Sequence, residues 1–503
     1  MPMTASEEIE RKYEVDDAAS VPSLDGIAAI GEVSQADLDA EYFDTVDGAL
    51  AAHRIVLRRR RGGADEGWHI KYPTGQGRTE LHWPLSDGDV PEEVIAPVLA
   101  RVRGRELSVV ARLRTRRGIL RLVGEDGEPL LELVDDVVSA TDVGSGTERN
   151  WREWECEVLD GAPRKAKART ALLDAVEKRL IDAGARPAKS ESKLASALGR
   201  TSLGVERPAP ALDRTTPASD LLLVPLRVLV DDIALVDARV RTNEPDSVHQ
   251  LRTRLRRLRS LFASYRVVFD RAATDPLRAQ LQRFGLVLGE ARDAEVMRDR
   301  AESLVSDHDP VSRGVAGRLL AGWSSAYDAA HARVVTEMSG EGYFALLDAL
   351  EAFLANPALA KAASEPAEKV IPRVLEKERK SVLRLAREAE AATTPAARIE
   401  SLHETRKAAK RLRYSAEAVS RGDAGVFGKS VVRLAGAAEA IHDLLGEHRD
   451  STVMQDYLRE NAGTGKQAFD YGVLCEVERH GAALCLAEYP AALRVLKNRK
   501  KPR

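Results

Sequence analysis

The chain is poor in cysteine, in aromatic residues and in long apolar runs. Its three cysteines among 503 residues, Cys156, Cys475 and Cys485, lack the paired spacing of a disulfide framework or a zinc site, which points to a reducing, cytoplasmic setting. Aromatic residues make up 5%, and no stacking platform accompanies the arginines, which disfavours single-stranded RNA or DNA as a ligand. The most apolar stretch, Leu221 to Val236, is interrupted by Pro225, Arg227, Asp231 and Asp232. It is too short and too charged to span a bilayer and reads as a buried helix. The first ten residues are polar and acidic, the reverse of a secretory signal, so no export and no membrane partner are expected. Net charge is also lacking: 76 Lys and Arg stand against 79 Asp and Glu. Any anion site must therefore come from local clustering of charge.

What is present falls into two parts. From residue 8 to about 160, short alternating segments are separated by turn signals such as Asp47-Gly48, Gly62-Gly63, Asp87-Gly88 and Asp126-Gly127. This spacing predicts an antiparallel sheet. Helical periods at about 20–32, 91–103 and 165–184 make the part α+β. Residues 201–217, with Pro208, Pro210 and Pro217, read as a stiff linker. Beyond it strand signals vanish, and Ala, Leu, Arg and Glu recur with helical period between prolines 245, 276, 310, 357, 372 and 395, predicting an all-α bundle over 218–496 and a basic tail over 497–503.

Residues two apart on a strand share a face, so Glu8, Glu10 and Lys12 point together. The same spacing recurs in Arg58 and Arg60, His69 and Lys71, Arg78 and Glu80, Arg112, Arg114 and Arg116, Glu132 and Asp136, and Glu153, Glu155 and Glu157. For any single strand, a solvated outer face explains this adequately. For strand after strand carrying both signs, a closed sheet with a charged lumen explains it better. Carboxylates there would bind hard divalent cations through oxygen while Arg and Lys neutralise phosphate oxygens.

Glu8-Ile-Glu-Arg-Lys12 resembles the ExExK signature of CYTH domains, the triphosphate tunnel metalloenzymes. The resemblance continues through Glu41–Thr45, Leu57–Arg60, the strand around Lys71, Arg78-Thr-Glu80, Glu132–Asp136, Glu155-Cys-Glu157 and Ser192-Lys193, covering roughly residues 6–200 of a domain placed over 1–200. It implies a closed antiparallel barrel or tunnel with flanking helices. It also implies Mg²⁺ or Mn²⁺ held by Glu8, Glu10, Asp136, Glu155 and Glu157. Phosphate would be cradled by Lys12, Arg58, Arg60, Lys71, Arg78, Arg114, Arg116 and Lys193, and catalysis would centre on Glu8, Glu10 and Lys12.

The helical part contains an internal repeat. His249-Gln-Leu-Arg252-Thr-Arg-Leu-Arg256-Arg257-Leu-Arg259 matches His403-Glu-Thr-Arg406-Lys-Ala-Ala-Lys410-Arg411-Leu-Arg413, and Leu288-Gly-Glu-Ala-Arg292-Asp293 then matches Leu445-Gly-Glu-His-Arg449-Asp450. At about 100° per residue, His249, Arg252, Arg256 and Arg259 line one helix face, with Leu251, Leu255, Leu258 and Phe262 opposite. His403, Arg406, Lys410 and Arg413 repeat the stripe, and Arg257 and Arg411 flank it. A solvated face is the ordinary explanation of one such run, but like charges on adjacent turns repel, and few acids are interleaved. The arrangement resembles the CHAD domain, a helical domain that commonly follows CYTH. That resemblance implies two pseudosymmetric halves and binding of inorganic polyphosphate, with association with polyphosphate granules. Asp293 and Asp450 are expected to orient basic side chains.

The leading expectation is metal-dependent hydrolysis of inorganic triphosphate or a related short polyphosphate, joined to polyphosphate binding. A non-catalytic polyphosphate-binding protein is the alternative, with adenylate cyclase or thiamine triphosphatase ranked lower.

Overall fold

The structure is a computed structural model that describes residues 4–73, 78–124, 126–204, 211–307 and 313–499. The chain divides into two compact units, Met1–Pro208 and Ala209–Arg503. The expected basic tail lies mostly outside the described residues, as does Pro310.

Among the described residues the first unit holds an antiparallel sheet of ten strands: β1 (Thr4–Glu8), β2 (Glu10–Glu14), β3 (Ala29–Asp44), β4 (Val56–Arg61), β5 (Gly67–Pro73), β6 (Arg78–Trp83), β7 (Ser108–Val123), β8 (Pro129–Asp142), β9 (Glu148–Val158) and β10 (Arg186–Pro187). Their order is β1-β6-β5-β4-β3-β7-β8-β9-β2-β10. This ladder is open, not the closed barrel expected from sequence. The segment Thr4–Glu14 breaks at Ile9, and its halves take opposite ends of the order, β1 against β6 and β2 against β9. One stretch of chain thus bounds both sides of the curved sheet without an unbroken ladder. The helix expected at 20–32 is absent: a turn over Asp25–Ile27 contains Gly26 at φ 80°, and β3 begins at Ala29.

Side-chain alternation gives the sheet two chemically different faces. On the outer face Tyr13, Leu122, Leu131, Leu133, Trp154 and Cys156 pack with Leu173, Val176 and Leu180 of helix α3 (Ala166–Asp182). Leu57, Trp68, Ile70, Leu81 and Trp83 pack with Val94 of α1 (Glu92–Ile95), Val98, and Val102 of α2 (Leu99–Val102). On the inner face, one end is apolar: Ala40, Tyr42, Val56, Ala111, Leu113, Val138 and Ala140 close over Leu194, Ala195 and Ala197 of the short α4 (Lys193–Ala197), which Ser192 caps. The rest of the inner face is charged.

The second unit is all helical: α5 (Ala218–Arg241), α6 (Ser247–Ser264), α7 (Arg271–Asp307), α8 (Arg313–Met338), α9 (Glu341–Ala355), α10 (Ala367–Ala391), α11 (Pro395–Glu417), α12 (Lys429–Glu460) and α13 (Lys466–Lys497). Helices α5–α8 pack in sequence, as do α10–α13, and α6 packs against α11, joining the halves. The pseudo-twofold is visible in hydrogen bonds. Pro217 and Pro366 precede α5 and α10 and bridge each other, Ala218 N donating to Glu365 O and Ala367 N to Thr216 O, both at 2.9 Å. Leu251, Leu255, Leu258 and Phe262 of α6 and Leu412 and Ala416 of α11 are buried. Pro276 and Pro372 do not bound helices as expected. Each is the sixth residue of its helix, α7 or α10, just past the four N–H groups without an intrahelical partner, so each forfeits one bond of the ladder. No described helix is long and apolar enough to cross a membrane.

Candidate functional site

The inner face of the sheet lines a cavity of about 270 Å³. Eight basic residues reach it (Lys12, Arg58, Arg60, Lys71, Arg78, Arg117, Arg121 and Lys193), and seven acidic ones (Glu8, Glu10, Asp65, Glu80, Glu132, Glu155 and Glu157).

Registry fixes how these charges meet. Strands β2, β9 and β8 lie side by side, with Glu10 opposite Glu157 and Glu157 opposite Glu132. Two positions along, Lys12 faces Glu155, and next Glu153 faces Asp136, which faces Arg117. Like charges directly opposite destabilise a sheet, so such rows require cations. All three rows have them, the outermost through Lys12 at Glu10 and through Arg121, which donates to Glu132 at 3.2 Å. Lys193 Nζ lies 3.0 Å from Asp136, 2.6 Å from Glu153 and 2.7 Å from Glu155. Arg117 donates to both oxygens of Asp136 at 2.9 and 2.7 Å and to Glu155 at 3.2 Å. Lys12 pairs with Glu155 and lies 3.1 Å from Glu10. Burial alone would raise the Glu155 carboxyl, but Lys12, Lys193 and Arg117 hold it well below the ordinary carboxylate range. In the row of Glu10, Glu157 and Glu132, Glu157 makes no ion pair among the described residues. Burial first, then Glu8, push its carboxyl up to about 7 against the pull of Lys71, with Glu10 and Glu132 adding to the rise.

The facing wall is cationic. Lys71 donates to both Glu8 oxygens, at 2.6 and 2.7 Å. Arg58 lies 3.4 Å from Glu80, which His69 also contacts at 2.8 Å. Arg78 donates to the Glu191 carbonyl at 2.6 Å. Arg60 is buried and paired with Asp65. Burial, then Arg58 and Arg117, bring its guanidinium down to about 9. An arginine so depressed is short of negative charge, and a phosphate group would supply it.

Lys12, Arg58, Arg60, Lys71, Arg78 and Lys193, named from sequence as phosphate ligands, thus line one cavity with Glu8, Glu10, Glu155 and Glu157. Arg114 and Arg116 do not. They point outward, Arg114 with 86% of its side chain exposed, opposite Asp39 and Asp37 on β3. The reason is the apolar end of the inner face: Leu113 points inward to pack with α4 residues, so the opposite parity faces solvent. Arg117 and Arg121, on Leu113's parity, are the inward pair that sequence reasoning missed. Asp136 and Glu155, expected at the metal, form with Glu153 the acidic cluster able to hold an ion, their ligand atoms within 4.8 Å of one another. Lys193 and Arg117 already contact these carboxylates. The hard-oxygen donor set that keeps a carboxylate without a cation partner is the one around Glu157, with Glu10 beside it and Glu8 near.

In the helical unit the basic stripes divide by partner. Arg257 pairs with Glu417 at 2.9 Å, Arg411 with Glu378 at 2.6 Å, and Arg413 with Glu439 at 2.6 Å and Glu417 at 3.1 Å. Arg259 bonds Gln282, and exposed His249 bonds Asp246 on its own element's border. Arg256, Arg406 and Lys410 make no ion pair among the described residues. Burial, then Arg252 and Arg406, bring Arg256 down to about 10 against Tyr414. Burial, then Arg256, Arg406, Arg252 and Arg259, press the Lys410 amine well below its ordinary value. His403 is lowered by burial and by Lys407 and Arg449. Arg252 bonds Asp293 at 3.1 Å, the orienting contact expected of that aspartate. Arg292, Arg449 and His442 also act electrostatically on this cluster, and His442 Nε2 is buried without a hydrogen-bond partner. The repeat of Arg292 by Arg449 was a usable signal for two of these; nothing in the sequence marked His442.

Comparison with known proteins follows the same division. The family model of the CYTH domain matches residues 6–183, and that of the CHAD domain matches residues 226–459. The uncharacterised protein Rv2226 of Mycobacterium tuberculosis is 38% identical over 516 aligned residues, covering 97% of this chain and 96% of that protein. Among solved structures, the CHAD domain of the plant Ricinus communis is 23% identical, covering 59% of this chain and 98% of its own, with a TM-score of 0.43. HpAC1 from Hippeastrum, an adenylyl cyclase homologue with a dominant triphosphatase activity, is 19% identical, covering 38% and 96%, with a TM-score of 0.23. With both domain models matched in order and a full-length relative at this identity, the chain belongs to the CYTH-CHAD family, a CYTH domain followed by a CHAD domain.

Proposed function

We propose that the CYTH domain hydrolyses a terminal phosphoanhydride bond of inorganic triphosphate or a related short polyphosphate, and that the CHAD domain binds inorganic polyphosphate. The observation that carries the first half is the single cavity in which eight cationic and seven acidic side chains converge. A chain of phosphates with its cations matches that mixture of signs, whereas a neutral substrate leaves it uncompensated.

Glu8, Glu10 and Glu157 would hold Mg²⁺ or Mn²⁺, which supplies Lewis acidity and neutralises phosphate oxygens. Arg58, Arg60 and Arg117 would stabilise charge on the transferring phosphoryl group, and Lys12, 3.1 Å from Glu10, would link the acidic row to the phosphate. Water attacks the terminal phosphorus, forming one P–O bond as the bridging P–O bond to the leaving pyrophosphate breaks, and the proton that the water loses passes to the released phosphates. No covalent nucleophile is required. The test is phosphate release from tripolyphosphate with Mg²⁺ or Mn²⁺, compared with pyrophosphate, ATP and thiamine triphosphate. Activity that survives E8Q combined with E10Q would remove the assigned metal site.

One observation favours a second reading, a binding domain that turns substrate over slowly or not at all. Lys71 already occupies both oxygens of Glu8. In that case tripolyphosphate binds with no release of phosphate in either metal. For the helical unit, the carrying observation is the convergence of Arg256, Arg406 and Lys410 without ion-pair partners, and the probe is long-chain polyphosphate titrated at several salt concentrations, with DNA as competitor.

A further inference from the structure

The second block of the internal repeat contains a glycine in each copy, Gly289 in α7 and Gly446 in α12. Glycine is the least favourable helix-interior residue after proline, so its presence at the same place in both copies requires a reason. Backbone conformation is not that reason, because neither residue has positive φ. The neighbours are. A methyl group on Gly289 would lie 3.3 Å from Arg252 Nη2 and 3.8 Å from its Cζ. One on Gly446 would lie 3.1 Å from Arg406 Nη2, 3.2 Å from its Nε and 3.6 Å from its Cζ. Gly285 in α7 and Gly436 in α12 have nothing within 4 Å, so this crowding is particular to the repeated pair.

The correspondence extends to the rest of each arginine. Both Arg252 and Arg406 bury Nε without a hydrogen-bond partner. Four residues after each glycine, on the same helix face, stands an aspartate. Arg252 Nη1 bonds Asp293 at 3.1 Å, and Asp450 acts electrostatically on Arg406. Each guanidinium therefore lies over a bare spot on a helix, with an aspartate one turn along that bonds Arg252 in one copy and acts on Arg406 through charge in the other.

Resting on the reading that this domain binds polyphosphate, we propose that Gly289 and Gly446 are positioning residues: each clears the helix surface so that Arg252 or Arg406 can lie flat across it and present its guanidinium to the phosphate chain. A methyl group at either place would push the guanidinium by a few tenths of an ångström, and a larger side chain would displace it further.

The test uses the full-length protein and long-chain polyphosphate, with affinity measured across a salt series and unfolding followed in parallel. G289A with G446A is expected to weaken binding about threefold and G289L with G446L about tenfold or more, with the salt slope shallower by about one. The alanine pair should leave the unfolding midpoint unchanged or higher, since alanine favours helix. R252A with R406A is the reference. If the glycine variants bind as wild type while the arginine pair loses affinity, the seats are refuted and the binding face stands. If the arginine pair also binds as wild type, the polyphosphate reading itself falls. Weaker binding in the alanine pair together with a lower unfolding midpoint marks a packing role and overturns the proposal.

Discussion

The two domains gather buried charge in opposite ways. In the CYTH domain almost every cation in the cavity has an acid of this chain within reach: Lys71 has Glu8, Lys12 has Glu155, Lys193 has Asp136, Glu153 and Glu155, and Arg117 has Asp136. In the CHAD domain Arg256, Arg406 and Lys410 have no ion pair among the described residues, Arg252 has Asp293 at 3.1 Å, and the four cations act on one another. The first arrangement is largely compensated within the chain and leaves the Glu157 carboxylate for a metal, which suits chemistry on a phosphate. The second is electrostatically strained until an anion arrives, which suits binding alone.

The sharpest break of this comparison comes from removing the carboxylates. E10Q with E157Q should lower tripolyphosphate hydrolysis by at least about a thousandfold, with polyphosphate affinity unchanged; phosphate release separates the two. Next, the same substitution of a buried lysine should act with opposite sign in the two domains. K193M leaves Asp136, Glu153 and Glu155 short of a cation and should cost about 3–5 kcal/mol. K410M relieves repulsion and should be neutral or stabilising, as denaturant unfolding would report. The depressed Lys410 amine means the folded state binds fewer protons than the unfolded one. Stability should therefore rise with pH up to the ordinary lysine value, and this slope should vanish in K410M.

Neutralising Arg256, Arg406 and Lys410 together, as glutamines, should weaken long-chain polyphosphate binding about a hundredfold and flatten its salt dependence, with triphosphate hydrolysis unaffected. A titration sharpens the other side. Glu157 must lose its proton to bind a cation, so apparent Mg²⁺ or Mn²⁺ affinity should climb about tenfold per pH unit below about 7 and level off above it. The smallest effect belongs to R114A with R116A, outward residues set against Asp39 and Asp37, which should shift stability by less than about 1 kcal/mol and leave hydrolysis intact.

Alternation and repetition made much of this molecule legible from sequence. The period-two charges of Glu153, Glu155 and Glu157 name their shared face without a structure, because one face of a strand is a property of spacing. The duplicated His-Arg stripe likewise marked the two equivalent helices, α6 and α11, and the CHAD resemblance implied the two pseudosymmetric halves that they join. Reading β7 failed because its inner face changes character along its length, apolar at Leu113 beside α4 and charged at Arg117 and Arg121. Local pattern carries no record of a helix arriving from residue 193. The division within the CHAD stripes was hidden for the same reason. The acids that neutralise Arg257 and Arg411, Glu417 and Glu378, come from other helices, so equal-looking arginines differ only in the fold. The missing helix at 20–32 shows the reverse weakness, a helical period overruled by a glycine turn and the long pairing of β3 with β7.

One experiment bears on the contrast itself: the full-length protein, assayed for tripolyphosphate hydrolysis and for long-chain polyphosphate binding, with divalent metal supplied and then chelated. Hydrolysis should stop on chelation while polyphosphate binding persists. Hydrolysis that continues without metal, or polyphosphate binding that disappears with it, would contradict the account.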